Sequence, residues 1–333
     1  MDSWKRFGGL IGSHMAIIAP SCVVLGALFP SQLSILKPWV TLLFAFMTFQ
    51  GALSNTFGNL LRTLRHPTQM LAALFVSAVV MPALAFLLAS LFFSASPNLV
   101  CGIVLEYSVP VAVVSSMWIA MLGGDPSLGL ATILVSTTLA PLTIPLTLHV
   151  LLGQEVEVDA ARMMGEMTVS IALPALLGTT FNEVSRGRAA HELSPVMAPA
   201  AKLVLVLVIL TNSTGVAPYM CALTPTLAAV TVFIGLFSTL GYALGLVAER
   251  LTHANHAQRV ALTYLCGLRN ISAGAVIAGE YFPGEVMFPV VIGTLFQQVV
   301  ASLFGFALRC SKTKGRAEHE APRVQPSARH SVR

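Results

Sequence analysis

Charge is what this 333-residue chain has least of: Asp, Glu, Lys and Arg make up 10% of it, against 56% hydrophobic residues. Soluble domains carry about 25% charged residues, and the mean hydropathy of +0.80 points the same way. The composition excludes a soluble domain and identifies an integral membrane protein. Chemistry-bearing patterns are missing too. The five cysteines (Cys22, Cys101, Cys221, Cys266 and Cys310) have no disulfide or metal-site spacing and read as small packing residues. No Ser/His/Asp or HExxH arrangement occurs. Gly123-Gly124-Asp125-Pro126 reads as a tight turn between spans, not a phosphate loop, and His253 and His256 flank a loop without further ligands. No enzyme, cofactor or metal is therefore expected. The segment from Met1 to His14 is too polar for a cleaved signal and reads as mature sequence.

What is there is a series of apolar runs. Windows of about 20 residues, enough to cross a bilayer, fall near 13–29, 38–54, 68–94, 98–122, 127–152, 167–182, 198–215, 221–249, 260–280 and 286–309. The one sizeable connection, residues 153–166 with Glu155, Glu157, Asp159 and Glu166, lies near the midpoint. The chain thus divides into a short N-terminus (1–12), a first half of five spans (13–152), an acidic connection (153–166), a second half of five (167–309) and a basic, disordered tail (310–333). Placing the N-terminus in the cytoplasm puts 16 of the 19 Lys and Arg inside, with Lys37 and Arg162 outside and Arg269 within the membrane. The bias predicts cytoplasmic termini, a plasma-membrane protein and an outward-facing connection. The net charge of +5 is thereby topogenic, and the tail reads as touching anionic lipid rather than nucleic acid.

Arg269 breaks this pattern. It lies about ten residues from either end of the ninth apolar run, beyond snorkelling reach for a helix rising ~1.5 Å per residue. A charge at bilayer depth costs on the order of 2.5–3.5 kcal/mol on insertion scales, so it faces a cavity, a partner or a substrate. The ninth run is interrupted there by Gly267 and the cluster Arg269, Asn270, Ser272; the fourth is interrupted at Pro110, ahead of Ser115 and Ser116. Breaks at matching positions of two halves mark an inverted-repeat transporter whose half-helix ends meet near the midplane. Arginine suits a carboxylate because its planar fork engages both oxygens. Glu106, the one acidic residue deep in a span, is a candidate charge partner or proton site.

Four stretches in order carry a wider likeness. They are Arg65-His66-Pro67 with Met81-Pro82 in the third span, Pro110 to Ser116 in the fourth, Val135-Ser136-Thr137-Thr138-Leu139-Ala140-Pro141-Leu142 in the fifth, and Gly267-Leu268-Arg269-Asn270 in the ninth. On these the chain resembles the bile acid:sodium symporter family. The resemblance implies an all-α fold of about ten helices in two inverted five-helix repeats, with a core and a panel domain. It also implies that broken helices four and nine cross beside the substrate cavity. In sodium-coupled members, side-chain oxygens from helices three, four, five and nine hold two sodium ions; here the matching positions carry Ser77, Ser115, Ser116, Gly129, Ile133, Leu265 and Arg269. Hard cations need oxygen ligands, which Gly129, Ile133 and Leu265 cannot provide from their side chains. A guanidinium about 4 Å away would oppose a sodium by ~4 kcal/mol at an effective dielectric near 20.

The expected function is secondary transport of a small or amphipathic organic anion by alternating access, without sodium coupling. Two alternatives stand beside it: a sodium-dependent symporter of bile-acid-like or other organic anions, and a non-transporting receptor or sensor on the same fold. Arg269 is either a fixed charge holding the crossing together, an anion-binding group, or the partner of Glu106.

Overall fold

The computed structural model describes residues 2–65, 67–153, 159–221 and 224–320. His66, Glu155, Glu157 and the tail segment 321–333, all used in the sequence reading, lie outside the described residues. Among those described the protein is all-helical, with one isolated β-bridge and no strand.

The chain opens with α1 (Asp2–Ser13), in the segment read as a short N-terminus, and α2 (Met15–Leu28). A short α3 (Pro30–Leu33) and a 3₁₀ stretch containing Pro38 lead into α4 (Val40–Ala52). An amphipathic α5 (Phe57–Leu64), capped by the Thr56 hydroxyl on the Asn59 amide, precedes the third span, α6 (Thr68–Phe75) and α7 (Met81–Phe93). The fourth span is two pieces, α8 (Pro97–Ser108) and α9 (Ser115–Met121), and the fifth is the single α10 (Pro126–Leu152).

In the second half α11 (Ala160–Met167), at the end of the acidic connection, leads into α12 (Leu173–Val184), which falls in the stretch expected as the sixth span. The seventh runs through α13 (Ser194–Ser213) to α14 (Ala217–Cys221), and the eighth is α15 (Pro225–Leu251). The ninth is again two pieces, α16 (His256–Gly267) and α17 (Ile271–Tyr281). The last, α18 (Gly284–Glu320), runs eleven residues beyond the expected end at 309, through part of the segment read as a tail.

Three wide π-helical turns, Val76–Val80, Thr168–Ala172 and Ala189–Leu193, interrupt otherwise continuous spans. Each is followed two residues later by a proline: Pro82, Pro174 and Pro195. A proline ring clashes with the carbonyl four residues back and supplies no amide hydrogen, and a widened turn is one way for a helix to pass it unbroken.

Six helices, counted across these turns, are individually long and apolar enough to cross a membrane: 30–52, 68–93, 126–152, 189–220, 225–251 and 284–309. The expected first, fourth, sixth and ninth spans are not among them, and the fourth and ninth are each cut in two. Many large apolar side chains point outward, among them Leu91, Phe92, Leu236, Leu303 and Phe306, as a bilayer-facing surface requires and an aqueous one does not. The buried core instead gathers α8, α10, α16, α17 and α18, and these helices position the site.

Candidate functional site

Breaking two helices inside a membrane frees backbone groups that water cannot satisfy. Here the two breaks satisfy each other. Val111 and Arg269 form an antiparallel bridge: the Ala112 amide donates to the Leu268 carbonyl at 3.2 Å and the Asn270 amide to the Pro110 carbonyl at 2.9 Å. The Val111 amide donates to Ser136 Oγ of α10 at 3.1 Å. Asn270 also caps α17, its side chain accepting from the Ala273 amide. Pro110, Gly267, Arg269 and Asn270 thus come together at one crossing, Ser115 opens α9 beside it, and Ser116 and Ser272 stand half-buried in the adjoining first turns.

The crossing is held from behind by close helix packing. A Cβ at Gly241 would lie 2.6 Å from the Cys266 carbonyl oxygen, and one at Gly245 would lie 2.7 Å from Thr263 Cα, so α15 and α16 approach backbone to backbone. This places the Tyr242 ring where a side chain at Gly267 would be. The Gly-xxx-Gly spacing at 241–245 was the available sequence signal for these residues, which the sequence reading did not use.

Arg269 is 3% exposed. Its Nη2 donates to the Cys266 carbonyl at 3.4 Å, while Nε and Nη1 have no hydrogen-bond partner. Glu106, also 3% exposed, sits on α8 just ahead of the break, with Oε2 unpartnered. Among the described residues the ion pairs are Arg162–Glu166 and Arg259–Glu249; Glu106 and Arg269 lie within electrostatic reach but are not in contact. The geometry therefore presents a buried guanidinium with two unpartnered nitrogens. An unpaired charge of this kind costs several kcal/mol, and a ligand able to pair with it recovers much of that.

Apart from Arg269, the positions that the family resemblance matches to sodium ligands are apolar or hold hydroxyls already donating to backbone. Ile133 and Leu265 belong to one buried apolar cluster with Val111, Ile119 and Leu268. A Cβ at Gly129 would touch Ile119 at 2.9 Å. The remaining hydroxyls are engaged by backbone: Ser77 Oγ donates to the Leu74 carbonyl, Ser115 Oγ to that of Tyr264 and Ser116 Oγ to that of Val113.

A crevice lined by Gly51, Asn55, Val113, Ile133, Thr137 and Ala175 runs between the break and helices α4 and α12. Asn55 Oδ1 and Thr137 Oγ1 are buried there without partners. Its volume of about 20 Å³ holds roughly one water.

The comparisons with known proteins agree with this architecture. The model of the sodium bile acid symporter family matches residues 41–223, more than half of the chain. An uncharacterized protein of Bacillus subtilis (strain 168), YbaS, is 38% identical over 294 residues, covering 88% of this chain and 96% of the relative. A second protein of that organism, named an uncharacterized sodium-dependent transporter, YocS, is 22% identical over 307 residues, 91% of this chain and 93% of the relative. With several helices long and apolar enough to cross a bilayer and a family match across most of them, this chain belongs to the sodium bile acid symporter family and is a multi-pass membrane transporter.

Proposed function

We propose that the protein is a secondary transporter of a small or amphipathic organic anion, working by alternating access in the plasma membrane with both termini cytoplasmic. Its ten spans form two inverted five-helix repeats, the broken fourth and ninth spans lying at equivalent positions of the two halves. Arg269 receives the substrate carboxylate, and neutral groups of Asn270, Ser272, Ser115 and Ser116 surround the same crossing. The observation that carries the reading is Arg269 itself: buried at the bridge, with Nε and Nη1 unpartnered. A guanidinium recognises a carboxylate through two parallel hydrogen bonds.

Sodium coupling is not part of this reading. The apolar cluster at Ile133 and Leu265 offers no side-chain oxygen, and Arg269 repels a cation from the crossing. Sodium-dependent symport remains the competing account, favoured by the name of YocS, and a receptor on the same fold is the other. Counterflow of labelled acetate, benzoate and cholate in proteoliposomes tests transport: trans-stimulated uptake by the wild type, lost in Arg269→Gln, is expected. Binding of a carboxylate without any trans-stimulated flux would favour the receptor.

A further inference from the structure

α8 and α18 run side by side in unusually close register. The place of a Cβ at Gly102 is filled by the Val286 carbonyl and by Pro289 Cγ, the latter at 2.9 Å. One turn further along both helices, the place of a Cβ at Gly293 is filled by the Glu106 carboxyl. Glycine is disfavoured against alanine in a helix interior, so Gly293 calls for a reason, and the carboxyl seated on its Cα supplies one.

From this notch we infer that Glu106 is an exchangeable proton site linked to anion binding at Arg269, with Gly293 as its positioning residue. The inference rests on the transporter reading above. Of the elements packed on α8, α7 and the Val76–Val80 turn carry no titratable side chain. α10 carries His149 and α17 carries Glu280 and Tyr281, all close to helix ends; Glu285 at the start of α18 accepts from Asn98 Nδ2 at 3.0 Å, and the basic residues of α18 begin at Arg309, far past Gly293. Arg269 is the charge within electrostatic reach of Glu106, with the Cys266 thiol and the phenols of Tyr107 and Tyr242 near Arg269.

One guanidinium cannot serve two buried anions. When the substrate carboxylate takes the unpartnered nitrogens of Arg269, an ionised Glu106 loses its counter-charge, so anion binding favours the protonated carboxyl. When the anion leaves, Arg269 again stabilises ionised Glu106 and the proton departs. Written out, Glu106–COO⁻ plus H⁺ plus R–COO⁻ gives Glu106–COOH with R–COO⁻ on Arg269, and the step reverses on the other face. Linkage is reciprocal: protons raise anion affinity and anions raise proton affinity. The protein is then a proton–anion symporter.

Two measurements on the full chain in lipid test this. Infrared difference spectroscopy against pH, without any substrate, should show a protonated-carboxyl band that titrates in the wild type and is missing in Glu106→Gln. Gly293→Ala should displace its midpoint. Glu106→Asp combined with Gly293→Ala, in which the shorter side chain withdraws from the notch, should bring the titration back. In proteoliposomes, an imposed pH gradient should drive uptake of labelled benzoate, with apparent affinity falling about tenfold per pH unit above the midpoint, as one linked proton requires. Glu106→Gln should bind benzoate with no pH dependence and ignore the gradient. An infrared titration unchanged in Glu106→Gln, or gradient-driven uptake surviving in it, overturns the proton site. A Glu106 titration as described, with none of the labelled carboxylates bound or transported, would instead contradict the anion-transport reading. Should Gly293→Ala fail to fold, the Glu106→Gln results still decide the proton site; a folded Gly293→Ala with an unmoved midpoint removes Gly293 from it.

Discussion

Arg269 is the residue on which the site turns, and hydropathy alone exposed it, because a guanidinium in an apolar run has no structural commonplace to explain it. Its neighbours were less legible. Gly293 looks like any membrane-helix glycine, since such residues are frequent there, and its reason is a side chain on another helix. Replacing Arg269 by Gln should leave the protein folded and inserted yet weaken carboxylate binding by about 2–5 kcal/mol, the range for removing one partner of a buried charge pair. Lysine should restore part of the loss, supplying the charge without the fork. Isothermal titration or a competition assay with labelled benzoate checks both, and normal affinity in Arg269→Ala would reduce the arginine to a packing feature.

At the scale of elements, Pro110 and Gly267 marked the two breaks in the sequence, but not what holds them. The bridge between Val111 and Arg269 joins residues far apart in the chain, and the Ser136 hydroxyl that receives the Val111 amide lies on a third helix. No local pattern encodes such pairings. The π turns were likewise hidden, since a proline in a membrane helix announces a kink but not the form the backbone takes to pass it. Gly241→Val should drive α15 off the Cys266 carbonyl and disturb the crossing, destabilising by roughly 1–3 kcal/mol or more, as overpacking does; a lowered melting temperature with lost carboxylate binding would register it.

A second polar cluster joins α11 to the end of α17. The Tyr281 hydroxyl donates to Glu166 Oε2, Arg162 Nε donates to Glu166 Oε1 at 2.8 Å, and Thr41 Oγ1 donates to Glu280 Oε2 at 3.2 Å, beside a cavity of about 570 Å³. The Tyr281 hydrogen bond, then that of Arg162, holds the Glu166 carboxyl below its usual range. A lowered carboxylate stabilises the folded state above its ordinary titration range, and that contribution is lost as pH falls through the lowered value. Tyr281→Phe should therefore move the acid loss of stability to higher pH, measured as melting temperature against pH. An identical profile would show that the contact contributes nothing.

For the molecule as a whole, composition was enough to place it in a membrane, and the order of motifs along the chain pointed to its family, which the family match and YbaS bear out. The N-terminal helix Asp2–Ser13 and the extension of α18 to Glu320 were not legible, because polar helices beyond a span leave no hydropathy signal. The loop-charge bias expects Asp159 and Lys312 on opposite faces of the membrane. Single cysteines at these two positions should react with an impermeant maleimide from opposite sides, and labelling from the same side would invalidate the orientation.

The central claim is that a fixed guanidinium at the crossing has replaced a sodium-binding site. Initial uptake of labelled carboxylate into proteoliposomes, compared in sodium and in choline at constant pH, tests it most directly. The account predicts equal rates in the two media, because Ile133 and Leu265 close the ligand positions with apolar side chains and Arg269 repels a cation. Uptake that collapses in choline and recovers steeply with added sodium would contradict it.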